Sequence, residues 1–242
     1  MKKKAVLLSM FIFCASLAHT QDNYPVLGEK SPSFVAETTQ GELQFPDDYG
    51  DSWKILFSHP EDFTQVCTSE IIELAKMQDE FNSLNIKIAI LSADDLHTHK
   101  AWVSSMNEIL ISLGETDTIN FPLIDDHNLR IAKKYGMIHF WENPRRTVRG
   151  VFVIDPDNHI RTISFYPMNL GRNMEEIKRS VVALQTSDKD DVLMPANWNA
   201  GDDVLLKVLP YLESELLDNP ELADQYYKIS FNMWYRKGLS NK

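Results

Sequence analysis

Three residues in one short stretch are spaced for thiol chemistry. The stretch is Phe57-Ser58-His59-Pro60-Glu61-Asp62-Phe63-Thr64-Gln65-Val66-Cys67-Thr68-Ser69-Glu70. It leaves an apolar strand, crosses a loop and enters a patterned helix. A thiol in the first turn of a helix faces unpaired N–H groups and the positive end of the macrodipole. Both favour thiolate, the nucleophilic form. Thr64 precedes Cys67 by three residues, so both can face one small pocket, where the hydroxyl can donate to a thiolate or to a bound oxygen. Pro60 stiffens the loop and removes a competing donor. A second cation would complete such a pocket, and Arg149, at the start of an apolar strand, is the candidate. Its guanidinium stays charged and presents a planar fork of donors. Taken alone, Arg149 reads as a solvated charge at a strand end.

The elements that must position these groups follow from periodicity. Trp53 to Phe57 reads as a buried strand leading into the cysteine loop. From Cys67 to Leu84, apolar residues recur at Leu74, Met77, Phe81 and Leu84, the spacing of one helical face. Ile86 to Leu91 is a short apolar strand. Asp94 or Asp95 caps a helix running through Trp102 and Met106. Phe121 to Ile124 is another strand, and Asp125 or Asp126 opens a helix that ends at Gly136. Val148–Ile154 and Ile160–Tyr166 form a hairpin across Asp155-Pro156-Asp157-Asn158-His159. Asn173 caps a helix reaching about Gln185. Gly28 to Phe34 is read as a lead-in loop. This order predicts an α/β fold, a mixed sheet flanked by helices, with a site beyond the carboxyl ends of its strands. The organisation expected is a leader at 1–20, a main domain at 21–186 and an appendage at 187–242, rich in Tyr226, Tyr227, Phe231, Trp234 and Tyr235.

Composition narrows the function classes. The 242 residues carry a net charge of −11 and 43% hydrophobic residues. That balance argues against nucleic-acid binding, which needs clustered Lys and Arg. Lys2, Lys3 and Lys4 followed by the apolar run Ala5–Ala18 read as a signal peptide, cleaved after Ala18 or Thr20, which predicts an exported protein, periplasmic or secreted. The alternative is an uncleaved anchor helix. No other stretch is long enough to span a membrane. Cys14 falls in the leader, so Cys67 would be the one thiol of the mature chain. It could pair between chains, lie buried and inert, or react. His97 and His99 are read as exposed helix residues rather than metal ligands, and no CxxC or HExxH pattern is present. Neither metal nor cofactor is expected.

Pro60-x-x-x-Thr64-x-x-Cys67 is similar to the peroxiredoxin signature P-x-x-x-T-x-x-C. The surrounding Phe57-Ser58-His59-Pro60 and Asp62-Phe63-Thr64 resemble its one-cysteine, peroxiredoxin 6-type subfamily. So do Val148-Arg149-Gly150-Val151-Phe152, Tyr166-Pro167, Gly171-Arg172-Asn173, Pro195-Ala196-Asn197-Trp198 and Gly201-Asp202-Asp203. The resemblance covers roughly residues 25 to 215 and departs at Gln65, where the family usually has proline. It implies a thioredoxin-like core with a C-terminal extension and a homodimer. It further implies a peroxidase in which Cys67 attacks hydrogen peroxide or an alkyl hydroperoxide and becomes a sulfenic acid. Thr64 and Arg149 would hold the peroxide, and Pro60 would shield the sulfur. His59 would meet the oxidised sulfur, and Glu70 would position the arginine. An external thiol, glutathione or a thiol protein, would resolve the sulfenic acid. The competing reading is a noncatalytic binding or chaperone protein on the same fold.

Subfamily members can also act as phospholipases through a G-D-S-W-G segment with a histidine and an aspartate. Here the segment is Gly50-Asp51-Ser52-Trp53-Lys54, the histidine position reads Pro46, and Asp157 remains. Ser52 would lack its base, so this activity is not expected.

Overall fold

A computed structural model describes residues 24–116 and 118–238. The expected leader at 1–20, with Cys14, lies outside the described residues. The elements run β1 (Phe34–Thr38), β2 (Gly41–Phe45), β3 (Trp53–Ser58), α1 (Gln65–Lys76), α2 (Gln78–Ser83), β4 (Ile86–Ser92), α3 (Leu96–Ser112), β5 (Leu123–Asp125) and α4 (Arg130–Lys134). They continue with β6 (Arg149–Ile154), β7 (Ile160–Tyr166), α5 (Met174–Asp190), β8 (Val192–Leu193), β9 (Val204–Leu206), α6 (Glu213–Asp218), α7 (Pro220–Ala223), β10 (Tyr226–Ser230) and β11 (Met233–Arg236).

Seven strands form one mixed sheet in the order β2-β1-β5-β4-β3-β6-β7, with β3, β4 and β5 parallel and β6 antiparallel to β3. The central strands are buried on both faces, so alternate residues feed two cores. Ile55, Phe57, Val151 and Val153 pack with Cys67, Ile71, Leu74, Trp102 and Val181 on one face. Leu56, Phe152 and Ile154 pack with Phe34, Phe45, Ile131 and Tyr135 on the other. The first cluster seats α1 against β3 and so buries the cysteine. The extension builds a second, four-stranded sheet, β10-β11-β9-β8, joined through Trp198, Val192 and Ala183. Among the described residues, no helix is long and apolar enough to cross a membrane.

Several expectations shift in detail. The single helix over 67–84 is two, α1 and α2, meeting at Met77, whose N–H donates to both Glu73 and Leu74 carbonyls. The apolar pattern continues through that break, so periodicity does not register it. The helix expected from Asp125 or Asp126 is only α4, although Asp126 does receive the N–H groups of Ile131 and Ala132 at 2.9 and 2.7 Å. Gly136, at φ +67°, follows its end. The lead-in loop is followed by an unforeseen hairpin, β1–β2, at the sheet edge. His99 is not exposed: it is fully buried on α3, and the spacing of two from His97 says nothing of the aspartate that pairs it there.

Candidate active site

The chain leaves β3 at Ser58 and passes through His59 and Pro60 into the cysteine loop, which turns at Phe63. This aromatic residue holds φ +57°, a left-handed backbone that non-glycine residues adopt rarely and at some cost. Thr64 follows in extended conformation as the N-cap, and α1 begins at Gln65. Cys67 is therefore the third residue of the helix, in the turn whose N–H groups lack intrahelical acceptors. Its side chain has no exposed surface.

The antiparallel register of β3 with β6 pairs Phe57 with Val151, which carries the start of β6 level with the cysteine loop. Ser58 Oγ donates to the Val148 carbonyl and accepts the Gly150 N–H, locking that level. Arg149 then points onto α1. Its Nη1 lies 3.3 Å from Cys67 Sγ and 2.7 Å from Glu70 Oε2. Its Nε and Nη2 donate to the Met168 carbonyl at 3.1 and 2.6 Å. The guanidinium is thus fixed on both edges and still touches the sulfur.

Glu70 lies one turn after Cys67 and is buried between two arginines. Arg172, to which the sequence assigned no role, donates to Glu70 Oε1 from its backbone N–H and Nε, and to Oε2 from Nη2. Its Nη1 reaches the carbonyls of Ser58 and Gly150. Burial alone would raise the Glu70 carboxyl, but Arg172 and then Arg149 outweigh it and hold the group below its ordinary range. A buried arginine of this kind has no periodic signal; Gly171-Arg172-Asn173 marks it only as part of a motif.

The remaining candidates are also in place. Pro60 is buried beside the loop. Thr64 Oγ1 donates to the Glu61 carbonyl at 2.9 Å, so its proton is committed and its lone pairs remain to accept. That differs from the donor role first expected of it. His59 is buried, with Nε2 2.7 Å from Asp62 Oδ1. Arg146 ties Glu61 to Asp94 across the loop, at 2.6 and 3.1 Å. Cys67 is the one free cysteine among the described residues.

This geometry has known relatives. The AhpC/TSA family matches residues 27–163, and the C-terminal domain of 1-Cys peroxiredoxin matches residues 183–209. A peroxiredoxin of Methanosarcina mazei is 49% identical over 183 residues, which is 75% of this chain and 84% of the relative. The chain belongs to the peroxiredoxin family. A mitochondrial peroxiredoxin of Saccharomyces cerevisiae is 38% identical over 201 residues, covering 81% of this peroxiredoxin and 76% of the yeast chain. Two solved structures cover nearly all of their own chains. A yeast mitochondrial 1-Cys peroxiredoxin superposes with TM-score 0.76 at 36% identity, covering 88% of this chain and 99% of the other. The peroxiredoxin 6 of Arenicola marina gives TM-score 0.77 at 31% identity, with 89% and 99% covered. The fold is the thioredoxin-like peroxiredoxin fold, of the one-cysteine type, and this peroxiredoxin is a thiol-dependent peroxidase. A noncatalytic binding role is not favoured.

The phospholipase segment is differently occupied. Ser52 Oγ donates to Asn85 Oδ1 at 2.8 Å. Lys54, fully buried, donates to the carbonyls of Gly50, Asp155 and Pro156 and to Asn158 Oδ1. The ammonium pins the β6–β7 turn where the motif's last glycine would leave space.

Proposed function

We propose that Cys67 is the peroxidatic nucleophile and that Thr64, Arg149 and Pro60 form the peroxide pocket around it. The observation that carries this reading is the 3.3 Å contact between Arg149 Nη1 and Cys67 Sγ. A fixed guanidinium at that distance favours the thiolate and stands ready for charge that develops on the oxygen being displaced. The thiolate attacks one oxygen of hydrogen peroxide or an alkyl hydroperoxide. An S–O bond forms, the O–O bond breaks, and its electron pair leaves on the distal oxygen, which takes a proton and departs as water or alcohol. Sulfur is oxidised by two electrons to sulfenic acid. Thr64 Oγ1 accepts the peroxide's O–H, which orients the attacked oxygen. His59 supports the oxidised sulfur, and Glu70 positions Arg149.

The resolving thiol comes from outside the chain, as glutathione or a thiol protein. It forms a mixed disulfide with Cys67 and releases water, and a second thiol restores Cys67 and leaves as disulfide. Export rests on the charged-then-apolar pattern of residues 1–20. A homodimer is supported by β7, which ends the seven-stranded sheet and beyond Ile160 meets no further strand among the described residues, and by the exposed apolar residues Trp141, Leu212, Ile229 and Phe231. Sedimentation over a concentration series tests it, and a monomer throughout would end that part of the reading.

The deciding experiment is intact mass after a brief, roughly equimolar peroxide dose, with Cys67→Ser alongside. Gain of one oxygen, trapped by dimedone on Cys67 within seconds, is the expected result. An unchanged mass over minutes would overturn the assignment of Cys67.

A further inference from the structure

Asp62 is buried between two imidazoles. Its Oδ1 lies 2.7 Å from His59 Nε2, and its Oδ2 lies 2.7 Å from His99 Nδ1. The second nitrogen of His99 meets the Ile124 carbonyl at 3.0 Å. The second nitrogen of His59, Nδ1, is buried without a hydrogen-bond partner, the one such side-chain atom among the described residues.

Proton counting assigns these atoms. A carbonyl only accepts, so His99 Nε2 carries a proton. Each short contact to Asp62 needs one proton between its two atoms. If Asp62 supplied the proton facing His59, the imidazole's own proton would move to Nδ1 and become a buried donor with no acceptor, a costly arrangement. His59 therefore carries its proton on Nε2. The one proton shared with His99 can sit on either atom of that contact, and the fields of the cluster place it on Nδ1, an imidazolium against a carboxylate. Burial opposes charge on His99, but Asp62 outweighs it and raises the group above its ordinary value. Burial likewise opposes charge on Asp62, and the two imidazoles outweigh it. For His59, burial dominates and lowers the group against the pull of Asp62, with His99 and Arg172 adding to the lowering.

We propose that His99, on α3, is a positioning residue for the cysteine pocket: through Asp62 it keeps His59 uncharged, with its proton on Nε2 and a free lone pair on Nδ1. The inference rests on the reading of Cys67 as the peroxidatic residue. A neutral His59 can accept from a proton-bearing oxygen, either of the hydroperoxide or of a sulfenic acid, whereas an imidazolium cannot.

The charges around the pair are few. Asp62 lies on the cysteine loop, and Arg172 approaches from the segment before α5. Asp94 receives the Asp62 N–H and is paired with Arg146, which also holds Glu61. Removing the His99 cation, whose ring centroid is 6.4 Å from that of His59, leaves Asp62 to draw a proton onto His59 at higher pH. Coulomb's law at an intermediate dielectric puts that shift at about one to two pH units.

The test is nitrogen NMR of the full reduced chain labelled with 15N-histidine, beside His99→Gln. Expected near neutral pH are His59 protonated on Nε2 alone and His99 protonated on both nitrogens. In H99Q, the His59 titration and the acid limb of Cys67 oxidation should both move up by about one to two pH units. A merely structural His99 would lower the rate at every pH and leave the His59 titration where it was, which would overturn the proposal. So would Nδ1–H on His59 in the unaltered protein, a result available even if H99Q does not fold. If Cys67 takes no oxygen from peroxide, the peroxidase reading fails while the proton assignment stands on its own spectrum.

Discussion

Arg172 grips Glu70 with its backbone N–H and two guanidinium nitrogens, at 2.8, 3.0 and 2.8 Å, where neither side chain meets solvent. The carboxylate that aligns Arg149 is thereby aligned in turn. Arg172→Lys keeps the charge and loses the fork. We expect it to slow Cys67 oxidation by about ten- to a hundredfold, since a misplacement on the order of 1 Å costs that much. Stopped-flow tryptophan fluorescence during a peroxide pulse measures it. Arg172→Ala leaves Glu70 paired with Arg149 alone and should cost about 3 kcal/mol or more in urea unfolding.

Arg149 touches the sulfur directly, at 3.3 Å. Arg149→Met should lower the second-order rate with hydrogen peroxide by about a hundredfold, the usual loss for one preorganised donor at developing charge. Circular dichroism shows whether the fold is retained. A rate within about threefold of the unaltered protein would remove Arg149 from the peroxide pocket.

Stability should fall on the acid side. Glu70 and Asp62 titrate below their ordinary values of 4.5 and 3.8 when folded. The unfolded chain then binds protons first, so their contribution is present above those values and is lost as pH falls through the folded ones. His59, lowered in the same way, adds a loss from about 6.5 downward. His99, raised, works oppositely: its contribution is full below 6.5 and is lost as pH rises through its folded value. Thermal midpoints between pH 3 and pH 8 should therefore drop most steeply below about pH 4.5, and Glu70→Gln should flatten that limb.

The lysine in the esterase-like segment predicts an absence. Phospholipid hydrolysis should not exceed background, and Ser52→Ala should change nothing, because the Ser52 hydroxyl donates to Asn85, an amide that cannot serve as its base. Ser52-dependent release of fatty acid would refute this.

Much of this site was legible in the residues. Near-continuous apolar runs in Trp53–Phe57 and Val151–Ile154 mark strands buried on both faces, and the motif resemblance, rather than spacing, then brings Cys67 and Arg149 together. What was not legible depends on contacts far apart in the chain. His99 looks like an exposed helix residue until Asp62, 37 positions earlier, is seen beside it. Arg172 carries no period, because its partners are a carboxylate on α1 and two strand carbonyls. The β1–β2 hairpin turns Phe34, Ala36, Leu43 and Phe45 inward and Val35, Glu37, Glu42 and Gln44 outward, but each strand is only five residues long, too short a run for its period to stand out.

Cys67 and Glu70 share one turn of α1, and this couples the sulfur to its cation mechanically. On the proposed reading, peroxide attack needs that turn wound, with sulfur and guanidinium in contact. Reduction needs the reverse, because a sulfur without exposed surface offers a bulky thiol nothing to attack. Unwinding the turn would release both constraints together. The helix is then a timer: the firmer its first turns, the longer each sulfenic acid waits, and the more chances a second peroxide has to carry it to sulfinic acid.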